Sequence, residues 1–252
     1  MLDQAFLDWL RATTEARWAD TTLRDVALMG LGEPAWQPGT RWRGGMSESD
    51  LRILEAMFSV QLPLAYRRFL VALHTPDPAL AAVQSRAGRL VRVEGRLFTD
   101  WTGSTTPVIA ALEAPLDGLL RAVALGRWHP AWGERPNDER ERVRHVRRLA
   151  SAAPRLIPFA GQRYIVAVPG DDDGPVIALH GADAALMAPD VRAGLLRELG
   201  LADPDLPDEA DHRDQVGEAP VEPPAPVVPR IPFWSDVIDG LAWLPPGVSA
   251  RT

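Results

Sequence analysis

The stretch "SESDLRILEAMFSVQLPLAYRRFL" (residues 47–70) contains two helix-like segments that meet at Leu62 and Pro63. In the first segment, Ser47 can cap free backbone N–H groups, and Asp50 stands three residues later, in the N3 position of a helix start. The apolar residues of this segment recur on one helical face, at Leu51, Leu54 and Phe58. We therefore predict a helix that begins after Ser47 and ends before Pro63.

The second segment begins at Pro63, because proline is tolerated in the first turn of a helix but not in its interior. Its apolar stripe consists of Tyr66, Phe69, Leu70 and Leu73. Neither helix carries an evident reactive group. Such a pair is typical of a binding fold rather than of an enzyme.

Hydrophobic periodicity places further elements on both sides of this pair. Helices are predicted at residues 2–18, 22–30, 107–125 with a break at Pro115, 137–153 and 190–201. Alternation predicts a β-hairpin within residues 88–101 that turns at Gly95. Core strands are predicted at two continuous β-branched runs, 163–168 and 175–179, around the turn "GDDDG" (170–174). The expected fold class is α+β, with helices packed around a mainly antiparallel sheet.

The net charge of −7 comes from one segment of the 252-residue chain. Residues 203–222 hold eight carboxylates against the single Arg213, so the remainder is nearly neutral. A nearly neutral body does not steer the protein toward nucleic acid or anionic membranes. All 27 basic residues are arginine, which we attribute to a GC-rich coding bias rather than to phosphate recognition.

The chain contains no cysteine, so neither disulfides nor thiolate–metal sites contribute to it. Its first 18 residues lack the basic start and apolar run of a secretory signal. No stretch approaches the ~18–20 apolar residues that cross a bilayer. These features predict a soluble, cytoplasmic protein.

Composition divides the chain into three parts. Residues 1–202 form the predicted α+β domain, and residues 203–230 are an acidic, proline-rich linker without a regular hydrogen-bonding ladder. In residues 231–252 the chain becomes apolar again, with Phe233 and Trp234 opening a stripe of helical spacing. We expect this C-terminal tail to pack back on the domain.

The search for chemical motifs predicts no catalytic residue, no cofactor and no metal site. The five histidines, His74, His129, His145, His180 and His212, are scattered without metal-ligand spacing. Asp171, Asp172 and Asp173 could hold a hard cation, but consecutive residues point in different directions, whereas calcium loops use alternate positions. A hydrophilic hairpin turn is therefore the preferred interpretation.

Nine tryptophans are many for this length, and several stand beside proline or glycine. These include Trp36 and Trp42 in "WQPGTRW", Trp128 and Trp132 in "WHPAWGERP", and Trp234 in "IPFWSD". Large rings in such positions pin loops onto a core, and exposed ones also serve as interface anchors. We favour the pinning role.

Several of these segments together resemble the SUKH superfamily, the group of bacterial immunity proteins and the fungal cell-wall-assembly regulator. "WQPGTRWRGGMSESDLRILEAMFSVQLPLAYRRFL" is similar to the entry motif of that family, and later blocks follow in the same order: "WHPAWGERP", "APRLIPFAGQRYIVA", "GPVIALHGAD" and "IPFWSD". The resemblance spans roughly residues 36–240. The chain departs from the family pattern at Gln162 and at "AALMAP" (184–189).

The resemblance implies an α+β domain that acts by binding another protein. In bacteria such domains typically neutralise a cognate toxin, often a nuclease, which predicts a toxin domain encoded nearby as the partner. A housekeeping scaffold or regulatory protein of the same fold is the alternative, and a metal-dependent hydrolase using Asp171–Asp173 and His180 is the opposing class.

Two groups of residues follow from this interpretation. The resemblance assigns a structural role to Trp36, Trp42, Gly45, Glu55, Leu62, Pro63, Tyr66, Trp128, Trp132, Gly133, Pro158, Tyr164, Pro175, Phe233 and Trp234. The candidates for partner binding are the acidic residues Asp171, Asp172, Asp173, Asp208, Glu209 and Asp211.

Overall fold

The computed structural model describes residues 2–20, 34–35, 39–77, 80–86, 89–95, 98–205 and 230–243, and of residues 20, 34–35, 80–86 and 89–95 only the backbone. The predicted helix at 22–30 and several predicted site residues, Trp36, Asp208, Glu209 and Asp211, lie outside these ranges.

Seven α-helices occur in the described residues. They are α1 (Gln4–Asp20), α2 (Glu48–Phe58), α3 (Leu64–Ala72), α4 (Thr105–Ala124), α5 (Glu139–Ser151), α6 (Val191–Leu199) and α7 (Trp234–Asp239). The strands are β1 (Pro34–Ala35), β2 (Arg41–Trp42), β3 (Pro76–Asp77), β4 (Leu80–Arg86), β5 (Arg89–Gly95), β6 (Arg127–Trp128), β7 (Arg155–Ala160), β8 (Arg163–Ala167), β9 (Val176–His180), β10 (Asp183–Ala188) and β11 (Ala242–Trp243).

The central sheet is a four-stranded antiparallel meander in the order β10-β9-β8-β7. A three-stranded sheet in the order β1-β4-β5 and the two-stranded pairs β11-β6 and β2-β3 lie beside it. All of these pairings are antiparallel. The predicted α+β class is therefore confirmed.

Both faces of the central sheet are buried. Ile157, Phe159, Ile165 and Val176 belong to a core shared with α1, α2, α3 and α6. Their neighbours on the opposite face, Leu156, Tyr164, Val166 and Ile177, belong to a second core with α4, α5 and α7. Because side chains alternate along a strand, a sheet covered on both faces needs continuous apolar runs, as the sequence has.

The entry helices form as predicted. The Ser47 side chain accepts a hydrogen bond from the Asp50 N–H, and the Asp50 side chain accepts one from the Ser47 N–H, so α2 begins with a complete capping box. Pro63 stands at the N-cap of α3. Between the helices, Glu55 accepts hydrogen bonds from the Leu62 N–H (2.9 Å) and from Arg67 (2.6 Å), which fixes their relative placement.

The predicted break at Pro115 is wrong, because α4 continues through it. A proline in a helix interior costs about 3 kcal/mol. Here Pro115 is itself buried, on a helix that also buries Val108, Leu119 and Val123. Packing of this apolar face against the sheet offsets the local cost.

The predicted turn at Gly95 is also wrong. The hairpin pairs β4 with β5 in a register that joins Leu80 to Gly95 and Arg86 to Arg89. The alternation at residues 90–93 therefore marks a real strand, but its partner precedes it in the chain instead of following it. Gly95 is the last residue of β5.

The C-terminal tail docks on the domain, as expected. Its buried residues are Ile231, Phe233, Trp234, Val237 and Leu241, all within the second core. At the other end of the predicted linker, Asp203 and Asp205 each lie 2.6 Å from the Arg192 guanidinium. Within the described ranges, no helix has the length and apolar character needed to span a membrane.

Candidate protein-binding surface

The residues singled out by the family resemblance mostly point inward and build a scaffold. Tyr66 is fully buried, donates a hydrogen bond to the Pro158 carbonyl (3.2 Å) and accepts one from the Trp101 indole (2.9 Å). The buried Trp42 indole donates to the Thr14 hydroxyl (2.7 Å). At Gly45, a Cβ atom would lie 1.5 Å from the Val71 carbonyl oxygen, so only glycine fits this close approach.

The later motif tryptophans, Trp128, Trp132 and Trp234, pin loops onto the second core, which confirms the favoured interpretation for these three residues. Trp128 donates to the Gly133 carbonyl (2.8 Å), and Trp234 donates to the Pro154 carbonyl (2.7 Å). Trp132 donates to Asp236 (3.1 Å) and stacks on Phe233 with ring centroids 5.5 Å apart. Trp128 therefore ties the following loop to β6, whereas Trp132 and Trp234 tie connecting segments to the tail.

The remaining motif residues also stabilise the core. Leu62 and Pro63 are buried between α2 and α3. Tyr164 lies in β8, and burial raises the pKa of its hydroxyl above the ordinary value. The Pro175 carbonyl accepts a hydrogen bond from the Val166 N–H (2.9 Å).

The acidic turn joins β8 to β9, and its three carboxylates have different surroundings. Asp171 and Asp172 are exposed. The backbone carbonyl of Asp172 accepts a hydrogen bond from Ala65 at the start of α3 (2.9 Å). Asp173 is half-buried and accepts a hydrogen bond from the Val191 N–H at the start of α6 (2.9 Å). The expectation of a wholly solvated turn is therefore wrong for Asp173, whose carboxylate has a structural partner.

Burial is the main cause that raises the pKa of Asp173 above its ordinary value of 3.8. The hydrogen bond from Val191 lowers this pKa, and the nearby carboxylates of Asp190 and Asp171 raise it. His180, the other residue of the hydrolase alternative, stands at the far end of β9 and hydrogen-bonds Gln162 (2.9 Å). About five residues of strand, at ~3.3 Å each, separate it from the acidic turn, so the two are not brought together.

A groove opens beside the acidic turn. It encloses about 630 Å³. Three connections surround it: the α2–α3 loop, the α5–β7 loop and the β8–β9 turn. We call it the loop groove, and the lining residues that matter here are Leu62, Leu64, Arg67, Pro154, Asp171 and Asp172.

The loop groove combines apolar surface with two exposed carboxylates, of which Asp171 also accepts a hydrogen bond from the Asp173 N–H (3.0 Å). Leu64 is 39% exposed, and α2, which leads into the groove, carries Ile53 and Met57, each 60% exposed. Arg67, by contrast, is paired with Glu48 and Glu55, so its charge is neutralised within the chain. Arg155 is exposed and also lines the groove, so the groove offers one cation against the two carboxylates of Asp171 and Asp172, and its net charge is negative.

A second depression of about 580 Å³ lies between α4 and α5. It shares Pro154 and Arg155 with the loop groove, and Trp234 lines it. Its charged residues are of both signs, with Glu113 and Asp117 from α4 and Arg147 from α5. It extends the apolar surface but does not add to the negative charge.

One group of side chains has metal-ligand spacing among the described residues. The ligand atoms of His129, Asp236 and Asp239 lie within 4.8 Å of one another. The Arg230 guanidinium already pairs with both aspartates, and His129 accepts a hydrogen bond from the Ala131 N–H (3.2 Å). This group therefore holds the start of the docked tail through an internal ion pair.

Sequence reasoning missed Arg142, which is 8% exposed in the middle of the charged helix α5. Its guanidinium donates to the Val123 and Ala124 carbonyls at the end of α4 (3.1 and 2.7 Å) and to Pro136 and Asn137 (3.2 and 2.6 Å). The apolar stripe of Val143 and Val146 was visible in the sequence. No pattern in the neighbouring sequence predicts that Arg142 caps the end of the preceding helix, α4.

Comparisons with protein-family models, with curated proteins and with solved structures found no match.

Proposed function

We propose that this protein is a non-catalytic protein-binding domain whose loop groove receives a partner protein. The observation that carries the proposal is the groove itself, in which the exposed side chain of Leu64 adjoins the exposed carboxylates of Asp171 and Asp172. Loops positioned by a rigid scaffold are the usual place of binding residues. Here the scaffold consists of the inward-facing tryptophans and Tyr66.

The partner that fits this surface presents basic residues around an apolar contact. Opposite charges at the edge of an interface speed association and select the partner, and the effect falls with salt. The resemblance to SUKH proteins supports a finer proposal, in which the partner is a toxin domain encoded nearby and this protein neutralises it in the cytoplasm. A nuclease, with its basic substrate cleft, has the right charge.

A scaffold or regulatory role in the same cell is the alternative and uses the same groove. The two roles differ in the consequence of losing the protein. An immunity protein protects the cell from a lethal neighbour, whereas a scaffold does not.

The test is co-expression of the full-length protein with the product of the adjacent gene. We expect a stable complex in size-exclusion chromatography and rescue of growth that the neighbour alone prevents. A complex without a growth effect favours the scaffold. Turnover of a substrate by the pure protein, or no complex with any neighbouring product, contradicts the proposal.

A further inference from the structure

Arg135 is a largely buried residue whose guanidinium has no carboxylate partner among the described residues. The residue is 6% exposed, and its Nε atom has no hydrogen-bond partner. No carboxylate in the described part of the chain pairs with its guanidinium. Arginine stays charged in proteins, and buried charges are almost always paired, because an unpaired one costs several kcal/mol. An arrangement this costly indicates that the missing anion comes from outside the described residues.

The surroundings of Arg135 form an open apolar frame. Leu125 and Trp243 are the two most exposed large apolar residues in the described ranges, at 72% and 67%. Gly126 lies between them: a Cβ atom there would be 3.7 Å from Arg135 Nη1 and 3.8 Å from the Trp243 ring. We call these four residues the Arg135 patch. Because Gly126 has no side chain, the space next to the guanidinium stays open.

Rigid elements hold the patch in place. Trp243 belongs to β11 and pairs with Arg127 of β6, directly after Gly126. Gly126 follows the end of α4 with φ of +104°, a conformation that favours glycine. Arg135 precedes α5, on which Arg140, Arg144, Arg147 and Arg148 are all exposed. The exposed carboxylates of Glu134, Asp138, Glu139 and Glu141 balance these four arginines, so the positive charge that the patch offers is that of Arg135 itself.

We propose that the Arg135 patch binds a protein segment in which one carboxylate adjoins an aliphatic side chain. The carboxylate would accept hydrogen bonds from the Arg135 guanidinium, and the aliphatic group would cover Leu125 and the Trp243 indole. Tryptophan and arginine dominate the energetics of protein interfaces. A phosphate fits less well, because phosphate sites cluster several arginines around two negative charges, whereas this frame is apolar and offers one guanidinium.

The site is separate from the loop groove and does not depend on the proposed function. The loop groove is acidic and calls for a basic partner, whereas the Arg135 patch calls for an acidic one. A single partner can use both surfaces only if it carries both charges. Variants of one surface therefore leave the other unaffected.

A first measurement needs no ligand. Thermal unfolding of full-length Arg135→Met should give a midpoint equal to that of the wild type or a few degrees higher, because the variant removes an unpaired buried charge and keeps the apolar stem. A midpoint lowered by several degrees, or a failure to fold, would show that Arg135 has a stabilising partner within the chain. That result overturns the proposal.

A second measurement identifies the ligand chemistry. A library of short random peptides is selected on the full-length protein, on Trp243→Ala and on Arg135→Met. We expect sequences with Asp or Glu beside Leu, Ile or Val to be enriched on the wild type alone. For the best peptide, replacing its Glu by Gln should weaken binding by about thirtyfold, as the loss of one partner of a charge pair does. Arg135→Lys should retain part of the affinity.

Asp171→Asn serves as the control, because it alters the loop groove and leaves the Arg135 patch intact. Peptides that lack an acidic residue, that bind the variants equally well, or that are displaced by millimolar inorganic phosphate contradict the proposal. So does the absence of any enriched peptide on the wild type.

Discussion

At the scale of single residues, the most consequential group is the Tyr66 hydroxyl. It joins α3 to β7 through the Pro158 carbonyl and to the Trp101 indole, all in the buried core between the helices and the sheet. A buried donor that loses its acceptor costs more than the hydrogen bond itself contributes, because it was already removed from water. In Tyr66→Phe, the buried Trp101 N–H would have lost its hydrogen-bond acceptor.

We therefore expect Tyr66→Phe to lower the free energy of unfolding by about 1–3 kcal/mol. Urea unfolding followed by tryptophan fluorescence measures it. Tyr164→Phe is the control, because Tyr164 is also a buried tyrosine but its hydroxyl forms no hydrogen bond within the described residues, and its effect should stay near zero. Equal effects of the two substitutions would contradict the role of the hydroxyl.

Burial also makes Tyr66 sensitive to alkali. Burial raises the pKa of Tyr66 above its ordinary value, and the hydrogen bond from Trp101 lowers it by less. The folded protein then binds a proton that the unfolded chain loses above about pH 10, so stability falls as pH rises past that point. In Tyr66→Phe this fall should be shallower between pH 9 and pH 11, where unfolding midpoints in urea measure it. A parallel pH profile would contradict the prediction.

The third residue-scale prediction concerns Asp173. Because its pKa is raised in the folded protein, this group favours folding below its ordinary value and disfavours it as the pH rises through the raised value. Asp173→Asn keeps an oxygen acceptor for the Val191 N–H and removes the charge. Relative to the wild type, it should gain stability between pH 4 and pH 7, and Asp172→Asn should show no such trend. A variant whose relative stability falls over this range would contradict the assignment.

At the scale of elements, α4 and α5 share the second core, and one side chain, Arg142, also hydrogen-bonds the end of α4. The four hydrogen bonds of Arg142 satisfy carbonyls at the end of α4 and in the loop that leads to α5. Arg142→Met should therefore lower the free energy of unfolding by about 2–4 kcal/mol, since charged hydrogen bonds contribute more than neutral ones. Arg144→Met, on the exposed side of the same helix, should change it by less than ~0.5 kcal/mol. Circular dichroism in urea distinguishes the two, and similar losses would contradict the capping role.

The elements that the sequence predicted well are those whose signals are local. The capping box at Ser47, the continuous apolar runs of β8 and β9 and the stripe of α5 depend on neighbouring residues, and each forms where expected. The predictions at Pro115 and Gly95 were wrong because, judged from the neighbouring sequence alone, proline and glycine interrupt helices and strands. In the fold, packing carries α4 through Pro115, and Gly95 ends a strand whose partner comes earlier in the chain.

The candidate site was only partly predictable, because it depends on contacts between distant segments. The exposed pair Asp171 and Asp172 could be identified as a turn from composition alone. That Asp173 turns toward α6, and that the turn faces the α2–α3 loop across a groove, are consequences of tertiary packing. Arg135 gave no sequence signal, since its burial results from the meeting of three separate segments.

At the scale of the whole molecule, the central sheet separates two cores, and the second core is completed by the C-terminal tail. Trp234 occupies that core at 5% exposure, whereas Trp243, nine residues later, is 67% exposed. The tail therefore provides a matched pair of substitutions. Trp234→Ala should lower the free energy of unfolding by about 3–5 kcal/mol, the usual cost of a buried aromatic truncation, and Trp243→Ala by less than ~1 kcal/mol.

Thermal and urea unfolding of both full-length variants measure this difference. If Trp234→Ala unfolded at the same midpoint as Trp243→Ala, the tail would not be an integral part of the fold. A loss below ~1 kcal/mol for Trp243→Ala would leave this exposed side chain available for binding.

The central claim is that the loop groove binds a protein partner through its carboxylates. Isothermal titration calorimetry of the full-length protein with its adjacent-gene partner tests it most directly, with wild type, Asp171→Asn/Asp172→Asn, and the control Glu139→Gln/Glu141→Gln, which removes the same charge from α5. We predict that the loop-groove variant binds at least about tenfold more weakly and with a smaller salt dependence, while the control stays within about threefold of the wild type. Equal affinities for all three proteins would contradict the claim.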